Sequence, residues 1–279
     1  MPAIAFLNGR FVSWQEAVVP IEDRGFQFGD GVYEVIRTYR GEPFEVEAHL
    51  DRLDRSAQAL SIAQPYGRSQ WREWIREGVG LAGFAESKVY IQITRGVSPR
   101  DHAFPANVPP TVVMTVRELT GLPQLLRESG VTAKTCEDLR WGRCDIKSLN
   151  LLANVLAKED AKRAGVFEAL LVKDGVVTEG SVSNVMTVQA GTIVTAPEGP
   201  RILSGVTRSV VLNLARQAGL PVREAFLEVE ALYRADEVFL TGTTVEVLGV
   251  THIDGRQIGT GRPGPVTQAL AARMVAATA

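Results

Sequence analysis

The sequence predicts a mixed α/β (α+β) protein of two domains, and three observations support this prediction. Apolar and alternating runs typical of β-strands recur along the chain, and runs with apolar residues at helical spacing lie between them. The segment ELTGLPQ (118–124), with Gly121 and Pro123, interrupts these patterns as a linker does. With 279 residues, 45% hydrophobic and 22% charged, the chain can bury one large core or two modest ones. We therefore expect a smaller first domain over 1–117 and a larger second domain over 125–279.

The first domain is predicted to contain strands interspersed with helices. Asn8-Gly9 separates the runs IAFL and RFV and favours a tight hairpin, because these residue types adopt left-handed backbone angles readily. The other predicted elements are strands at 31–39, 43–47, 88–95 and 111–117 and helices at 48–62 and 69–82. Within GVYEVIRTY, Tyr33, Val35 and Arg37 alternate onto one face, so the phenol and the guanidinium can both face a binding cleft.

The second domain is predicted to contain a helix shortly after its start and another at its end. In RCDIKSLNLLANVLAKEDAKRAG (143–165), apolar residues from Leu149 to Leu156 recur at helical spacing, and Gly165 is placed to end the helix. The alanine-rich tail after Gly264 predicts a closing helix.

Lys147 and Glu179 form a candidate pair for cofactor chemistry. In EALLVKDGVVTEGSVSNVMTV (168–188), Asp174-Gly175 joins two apolar runs as a type I′ hairpin does, and Glu179 ends the second strand. Lys147 lies in the polar turn ahead of the helix, where a lysine is most often a solvated surface cation. A desolvated lysine amine, however, forms a Schiff base with the aldehyde of pyridoxal phosphate, while a carboxylate keeps the pyridine nitrogen protonated. The pair therefore indicates a pyridoxal-phosphate site.

Two turns of the second domain are candidate phosphate sites. ILSGVTRSVVLNLARQAG (202–219) is a small-residue turn followed by an amphipathic helix, whose first N–H groups, at Val206 and Thr207, favour an anion. EVFLTGTTVEVLGV (237–250) is a buried strand broken by 241–244, whose hydroxyls and amides can form an anion nest. Many such turns only cap a helix, but beside a candidate lysine and carboxylate they favour a phosphate-bearing cofactor.

Seven segments carry a resemblance to a known family. They are DRGFQFGDGVYEVIRTYRG (23–41), HLDRLDRSA (49–57), TRGVSPRDHAFP (94–105), DIKSLN (145–150), TEGSVSNV (178–185), LSGVTR (203–208) and LTGTT (240–244). In this order they resemble the motifs of fold-type IV pyridoxal-phosphate enzymes, most closely the bacterial D-amino-acid transaminases. Branched-chain aminotransferases and aminodeoxychorismate lyase are further relatives. The resemblance covers about 4–255 and implies a two-domain fold with its site between the domains.

The resemblance implies the cofactor contacts residue by residue. It places the Schiff base on Lys147 and the ring nitrogen at Glu179. The other matched residues are Arg52, Thr207 and Thr243 at the phosphate, with Leu203 against the ring. Gly242 and Val182 stand where the D-transaminases have serines, so we expect some loss of phosphate or ring contacts at these positions.

The resemblance also implies the substrate contacts. Tyr33 and the loop residues Arg100 and His102 match a trap for the substrate α-carboxylate, which an arginine can bind through two parallel hydrogen bonds. In the D-specific enzymes the loop pair comes from the partner subunit, so a homodimer is expected. Arg37 disagrees with this assignment, because branched-chain enzymes carry an arginine at the same place and lack the loop pair.

The function expected from these assignments is transamination between a D-amino acid, such as D-alanine or D-glutamate, and a 2-keto acid, pyruvate or 2-oxoglutarate. Two alternatives remain open on the same fold. One is a branched-chain L-amino-acid aminotransferase or an aminodeoxychorismate-lyase-like enzyme. The other is a non-catalytic pyridoxal-phosphate carrier, for which a complete carboxylate trap would have no use.

Composition excludes several other classes of protein. A net charge of −2 gives no electrostatic reason to expect nucleic acid or an anionic membrane as a partner. Cys136 and Cys144 match no zinc or redox spacing, so we expect no metal and reduced thiols in the cytoplasm. The sequence shows no export signal and no apolar run of ~18 residues, which predicts an unexported, soluble protein. His49 and His252 receive only structural roles.

Overall fold

A computed structural model describes residues 4–279. Contacts along the backbone divide the chain into two compact units. The first unit runs to Thr120 and includes Ile146–Asn150, and the second comprises Gly121–Asp145 and Leu151–Ala279. The change of unit after Thr120 falls within the predicted linker at 118–124. Residues 1–3, which the predicted first domain includes, lie outside the described residues.

Ile146–Asn150 belongs to the first unit, whereas the sequence prediction assigned Lys147 to the second domain. The Lys147 carbonyl accepts a hydrogen bond from Tyr33 N at 3.0 Å, and Leu149 N donates to Gly31 O at 3.0 Å. These bonds hold the segment alongside the strand that contains Tyr33. Such long-range pairing leaves no local signal in the sequence, which is why the prediction missed it.

From residue 4 onward, the first unit contains an antiparallel six-stranded sheet and three helices. Its elements are β1 (Ile4–Leu7), β2 (Arg10–Val12), α1 (Arg24–Phe28), β3 (Gly31–Tyr39), β4 (Glu42–Pro43), α2 (Val46–Ala59), α3 (Arg68–Ala82), β5 (Ser87–Thr94) and β6 (Thr111–Glu118). The strand order is β2-β1-β6-β5-β3-β4. Strand β3, which contains Tyr33 and Arg37, pairs with β5 from Gly31 to Arg37.

The alternation predicted for β3 is present. Val32 and Ile36 are fully buried in the core with residues of α2 and α3 such as Leu53 and Ile75. A β-strand turns successive side chains to opposite faces, so Tyr33 and its alternate neighbours lie on the face away from these helices.

The first unit has one predicted hairpin and differs from the predicted elements in two places. The hairpin at Asn8-Gly9 is confirmed, with positive φ angles of 46° and 93°. The strand predicted at 43–47 is wrong, because only Glu42–Pro43 pairs with β3 and helix α2 already begins at Val46. Glu45 has a φ of 54°, a left-handed angle that turns the chain into the helix. The short helix α1 was not predicted.

The second unit contains a larger mixed sheet and five helices. Its elements are α4 (Gln124–Ser129), β7 (Val131–Glu137), α5 (Leu152–Arg163), β8 (Glu168–Lys173), β9 (Val176–Gly180), β10 (Asn184–Gln189), β11 (Thr192–Thr195), α6 (Val206–Gln217), β12 (Val222–Glu224), β13 (Leu227–Glu228), α7 (Val229–Tyr233), β14 (Glu237–Gly242), β15 (Glu246–Ile253), β16 (Arg256–Gln257) and α8 (Pro265–Ala277). The strand order is β12-β11-β10-β14-β15-β7-β8-β9-β13, with β16 on β15. Strands β7 and β8 are parallel, as are β7 and β15.

The turns predicted for the second domain are confirmed. Asp174 and Gly175 connect β8 to β9 with φ angles of 52° and 77°, both positive as a type I′ turn requires. Gly165 follows α5 with a φ of 71°. The run 237–250 divides into β14, which ends at Gly242, and β15, which begins at Glu246, so the observed break at 243–245 overlaps the predicted break at 241–244.

The helices of the described chain are short. The closing helix α8 begins at Pro265, directly after Gly264, as predicted. Helix α3 is 15 residues long. Within 4–279, no helix combines the length and the apolar character needed to cross a bilayer.

Candidate active site

Lys147 and Tyr33 lie together in the first unit. The Lys147 Nζ atom is 4.2 Å from the centroid of the Tyr33 ring. The Lys147 backbone N–H donates to Ser56 Oγ of α2 at 3.2 Å, and Tyr33 packs on Tyr90 of β5 with the ring centroids 5.7 Å apart. Hydrogen bonds to β3 and α2 hold the Lys147 backbone, so the Cα position of this side chain is fixed. Two residues that the sequence predicted separately are therefore neighbours.

Arg52 of α2 is bound to a buried carboxylate of β3. Its Nε and Nη2 groups donate to the two oxygens of Glu34 at 2.7 and 2.8 Å, and His49 Nδ1 lies 2.7 Å from Glu34 Oε2. Burial would raise the pKa of Glu34, but the charges and hydrogen bonds of Arg52 and His49 outweigh it and hold this pKa well below its usual range. Glu34 is thus an anion at neutral pH that fixes the direction of Arg52.

Arg100 and His102 lie on the loop that follows β5, and both side chains are exposed. The Arg100 guanidinium carbon lies 4.5 Å from the centroid of the Phe28 ring, and the His102 ring lies 5.5 Å from the same ring. The two predicted substrate residues are thus gathered around one aromatic side chain of α1.

Arg37 has a different environment from Tyr33, although both lie on β3. Its side chain is only 8% exposed, and its Nε and Nη2 groups donate to Glu86 Oε2 at 3.2 and 3.0 Å. The guanidinium also stacks over Tyr39, 4.4 Å from the ring centroid. Arg37 is therefore committed to an ion pair within its own unit.

Glu179 ends β9 in the second unit and accepts several hydrogen bonds. Arg140 Nη1 donates to Oε1, Asn184 Nδ2 donates to Oε2 at 2.9 Å, and Leu203 N lies 3.1 Å from both oxygens. Arg140 also binds Asp138, through Nε at 2.8 Å and Nη2 at 2.7 Å. Burial raises the pKa of Glu179 to about 7, although Arg140 and the Leu203 amide act to lower it. This carboxyl can gain or release a proton near neutrality.

Asn184 joins the two candidate phosphate turns to Glu179. Besides Glu179, its Nδ2 group donates to the Leu203 carbonyl at 2.9 Å. Its backbone pairs with Thr241 at the end of β14. A Cβ atom on Gly205 would lie 2.1 Å from Asn184 Oδ1, so any other residue there would displace the Asn184 amide. The turns at 203–207 and 241–244 therefore converge on one asparagine.

Both turns present groups suited to an anion. Gly205 precedes the first turn of α6 in extended conformation, and Val206 and Thr207 are buried at the start of that helix. The hydroxyl of Thr241 is buried, and it finds no hydrogen-bond partner among the described residues. A buried hydroxyl without a partner is unfavourable, which is consistent with a ligand that completes its bonding. Thr243 lies in the same turn and is partly exposed.

Gly242 and Val182, the two positions that depart from the family pattern, differ in their surroundings. A Cβ atom on Gly242 would lie 3.3 Å from the Val245 side chain, so a serine there would require Val245 to move. Val182 is 63% exposed. Its neighbours Ser181 and Ser183 direct their hydroxyls to the buried carboxylate of Glu168, at 2.5 and 2.9 Å.

Cys144 is not suited to act as a nucleophile. Burial raises the pKa of its thiol to about 11, and Sγ donates to the Trp141 carbonyl at 3.2 Å. At neutral pH the group is a protonated thiol, whereas a nucleophilic cysteine requires the thiolate.

Sequence reasoning missed three residues of this arrangement. Glu34 left a signal, because it is a charged residue on the buried face of a strand, where a charge needs a partner. Asn184 lies within the quoted motif TEGSVSNV, but nothing in the spacing distinguishes it. Arg140 left no signal, since its contact with Glu179 spans 39 residues.

Comparison with known proteins identifies the family. The model of the amino-transferase class IV family matches residues 31–253. A D-alanine aminotransferase of Bacillus licheniformis is 44% identical over 261 residues, which cover 94% of this chain and 92% of that protein. Crystal structures of the branched-chain aminotransferases of Escherichia coli and of Thermoproteus uzoniensis, the latter with norvaline, have TM-scores of 0.93 and 0.88 at 28% and 27% identity. Each comparison covers 99% of this chain and 94% of the other.

The architecture is the mixed α/β, two-domain architecture of fold-type IV enzymes, as the sequence predicted. The chain belongs to the amino-transferase class IV family and is an aminotransferase.

Proposed function

We propose that this aminotransferase uses pyridoxal phosphate to exchange the amino group between a D-amino acid and a 2-keto acid. D-Alanine and D-glutamate are the proposed donors, and pyruvate and 2-oxoglutarate the acceptors. The observation that carries the choice is the exposed pair Arg100 and His102 gathered around Phe28, while Arg37 is already bound to Glu86. The D-alanine aminotransferase of Bacillus licheniformis, 44% identical, supports the same choice.

The residues of the second unit fit the cofactor. Glu179, with its pKa raised to about 7, suits a pyridine nitrogen, which it can keep protonated. Leu203 is held next to this carboxylate by its own amide and offers an apolar side chain to a ring. The amides of Val206 and Thr207 at the start of α6 suit the phosphate. The hydroxyl of Thr241, buried without a partner in the described chain, supports a ligand at the second turn.

The first unit supplies the proposed reactive amine and a further phosphate contact. Lys147 Nζ would hold the cofactor covalently, and the same amine, when free, would take the proton from the substrate Cα. When bound, pyridoxal phosphate supplies an aldehyde carbon that accepts the amino group and a ring that accepts the electrons of the breaking C–H bond. Arg52, directed by Glu34, contributes positive charge toward the phosphate.

The substrate carboxylate is bound by Arg100 and His102 together with Tyr33. An arginine guanidinium can offer two parallel N–H groups to a carboxylate, which fixes the orientation of the substrate as well as its charge. Tyr33 lies beside Lys147, so its phenol is suited to the substrate end nearest the reactive amine.

The proposed active form is a cytoplasmic homodimer in which the loop with Arg100 and His102 serves the partner's site. Helix α5 supports this proposal, because Leu152, Val155 and Leu156 recur at helical spacing and are 72%, 58% and 59% exposed. A contiguous exposed apolar strip marks a protein interface. The free thiols of Cys136 and Cys144 agree with a reducing compartment.

The proposed function is tested by substrate preference. The holoenzyme is mixed with D- and L-alanine, D- and L-glutamate and L-leucine, and the absorbance of the cofactor is followed. We expect rapid conversion with the D-amino acids. Preference for L-leucine would instead favour the branched-chain activity named for the two solved structures.

Two arginine variants separate these alternatives further. Arg100→Ala should lower kcat/KM for D-alanine by roughly 10²-fold or more, mainly through KM, because truncating one partner of a charged hydrogen-bonded pair costs about 2–5 kcal/mol. Arg37→Ala should have a smaller effect, since Arg37 is bound to Glu86. The proposal would be overturned if Arg100→Ala left kcat/KM for D-alanine unchanged while Arg37→Ala strongly lowered turnover of L-leucine.

The covalent role of Lys147 is tested separately. Borohydride reduction of the holoenzyme followed by peptide mapping should find the cofactor on Lys147. Lys147→Ala should carry no such label and lose transaminase activity by roughly 10⁴-fold or more, because the nucleophile and the base are removed together. Lys158→Ala, which removes a lysine of α5, is the control and should keep the label. A label on any other lysine would contradict the assignment.

A further inference from the structure

Helix α1 makes specific contacts with the loop that carries Arg100 and His102. The Arg24 side chain is 3% exposed, and its guanidinium bonds in three directions. Nε donates to Asp30 Oδ2 at 2.8 Å, and Nη1 donates to the Asp101 carbonyl at 2.5 Å. Nη2 lies 3.4 Å from the His102 carbonyl. One buried arginine therefore holds the backbone of two consecutive residues at the centre of the loop.

The support behind Arg24 is rigid. Asp30 also accepts a two-pronged bond from Arg95, with Nε and Nη2 at 2.8 and 3.0 Å, so its carboxylate is fixed from both sides. The backbone of Arg24 donates to the Gly96 carbonyl at 2.9 Å, which fastens α1 to the start of the loop. Arg24 is thus anchored independently of the loop residues that it binds.

Phe28, at the other end of α1, contacts the side chains of the loop pair. Its ring centroid lies 4.5 Å from the Arg100 guanidinium carbon and 5.5 Å from the His102 ring. The Arg24 guanidinium carbon lies 4.8 Å from the same centroid. A guanidinium within about 6 Å of an aromatic face is attracted by the ring quadrupole. Phe28 is therefore an aromatic platform for both side chains of the pair.

The exposed loop side chains have few other restraints. Arg100 makes one long contact besides Phe28, from Nη1 to the Gln27 carbonyl at 3.5 Å. An exposed arginine with so little hydrogen bonding samples many rotamers, and each immobilised side chain of this kind costs affinity when a ligand binds. A device that orients Arg100 beforehand would therefore strengthen substrate binding without contacting the substrate.

We propose that Arg24 and Phe28 are positioning residues for the substrate-carboxylate trap. Arg24 fixes the backbone of the loop at Asp101 and His102, and Phe28 orients the two side chains that bind the carboxylate. The inference rests on the proposed function, in which Arg100 and His102 bind that carboxylate.

A double-mutant cycle tests this role. Arg24→Lys keeps the positive charge but removes the planar guanidinium, so the lysine cannot bond Asp30 and the carbonyls of Asp101 and His102 at the same time. We expect it to raise KM for D-alanine roughly tenfold while kcat changes by less than about twofold. In an Arg100→Ala/His102→Ala background the same substitution should change KM by less than about twofold, because the two side chains through which it acts have gone.

A control and a second variant complete the experiment. Arg68→Lys makes the same exchange at an arginine of α3 in the same unit, whose guanidinium bonds Asp51 and Asp54 of α2. It should change KM by less than about twofold.

Phe28→Leu, which keeps an apolar side chain of similar volume, should raise KM several-fold. It replaces Arg24→Lys in the cycle if that variant does not fold. The absorption spectrum of the bound cofactor should be unchanged in all these variants.

The outcomes are distinguishable. If Arg100→Ala raises KM while Arg24→Lys and Phe28→Leu leave it unchanged, the positioning role is wrong and the trap stands. If the effect of Arg24→Lys multiplies fully with that of the Arg100→Ala/His102→Ala background, or Arg68→Lys matches Arg24→Lys, then Arg24 acts through the general fold and the inference is overturned. If Arg100→Ala itself is silent, the proposed trap fails and the inference fails with it.

Discussion

Glu34 in the first unit and Glu179 in the second are both buried carboxylates bound to an arginine, yet their pKa values move in opposite directions. The pKa of Glu34 lies well below its usual range, whereas that of Glu179 is raised to about 7. Burial acts to raise both. The difference must therefore come from the partners of each carboxylate.

The partners differ in how their charge is distributed. Arg52 directs Nε and Nη2 to Glu34, and His49 adds a third contact. Arg140, by contrast, divides its donors between Glu179 and Asp138, and the negative charge of Asp138 raises the pKa of Glu179 further. One carboxylate is thus a permanent anion, while the other can exchange a proton near neutrality. The first suits a structural anchor and the second suits proton chemistry.

Among the variants that test this comparison of the two carboxylates, the largest effect is expected from removing the charge of Glu179. Glu179→Gln keeps the shape of the side chain, so the cofactor should still bind. The half-reaction with D-alanine should slow by roughly 10²- to 10³-fold, because the ring loses the carboxylate that keeps its nitrogen protonated. Stopped-flow absorbance measures this rate. Glu237→Gln, which removes another buried carboxylate of the second unit, is the control and should stay within about threefold. Normal turnover in Glu179→Gln would show that the proposed role is wrong.

Glu34→Gln should affect stability in a pH-dependent way. A carboxylate whose pKa is lowered by folding stabilises the protein above its ordinary pKa of 4.5, and this stabilisation is lost as the pH falls toward the folded value. Near pH 7 the substitution should lower the free energy of unfolding by about 3 kcal/mol, since it leaves Arg52 buried without its anion.

Chemical denaturation of both proteins at several pH values tests this expectation. The difference in the free energy of unfolding should be full at neutral pH and should shrink at pH values below 4.5. Glu86→Gln, which removes the half-exposed partner of Arg37, is the control and should cost less. An equal difference at all pH values would mean that the charge of Glu34 does not stabilise the fold.

The smallest effect is expected at Arg140. Arg140→Lys weakens the attraction that opposes burial, so the pKa of Glu179 should rise further above 7, by about one unit or roughly 1.4 kcal/mol. Carboxyl ¹³C NMR of the protein without cofactor measures this pKa directly. Arg201→Lys alters a surface ion pair with Asp174 and a contact with the Phe226 ring, and it should leave the pKa of Glu179 unchanged. A fall in the pKa after Arg140→Lys would contradict the account of the shared arginine.

Local features of the fold were predictable because their causes are local. The hairpins at Asn8-Gly9 and Asp174-Gly175 follow from residue types that accept positive φ angles, and the structure has them. The alternation along β3 follows from the two-residue period of a strand. The strand predicted at 43–47 was wrong because Glu45 adopts a left-handed φ angle, which glutamate rarely does and which its residue type therefore does not predict.

The sequence by itself determined the family, the fold class and the order of the motifs, because these depend on residue types at fixed short spacings. Only the tertiary structure decided which partner each charged side chain meets. Arg37 binds Glu86 across 49 residues, and Arg140 binds Glu179 across 39. Such pairs form when chain segments far apart in sequence are brought together, and burial then makes each of these charges depend on the partner it finds.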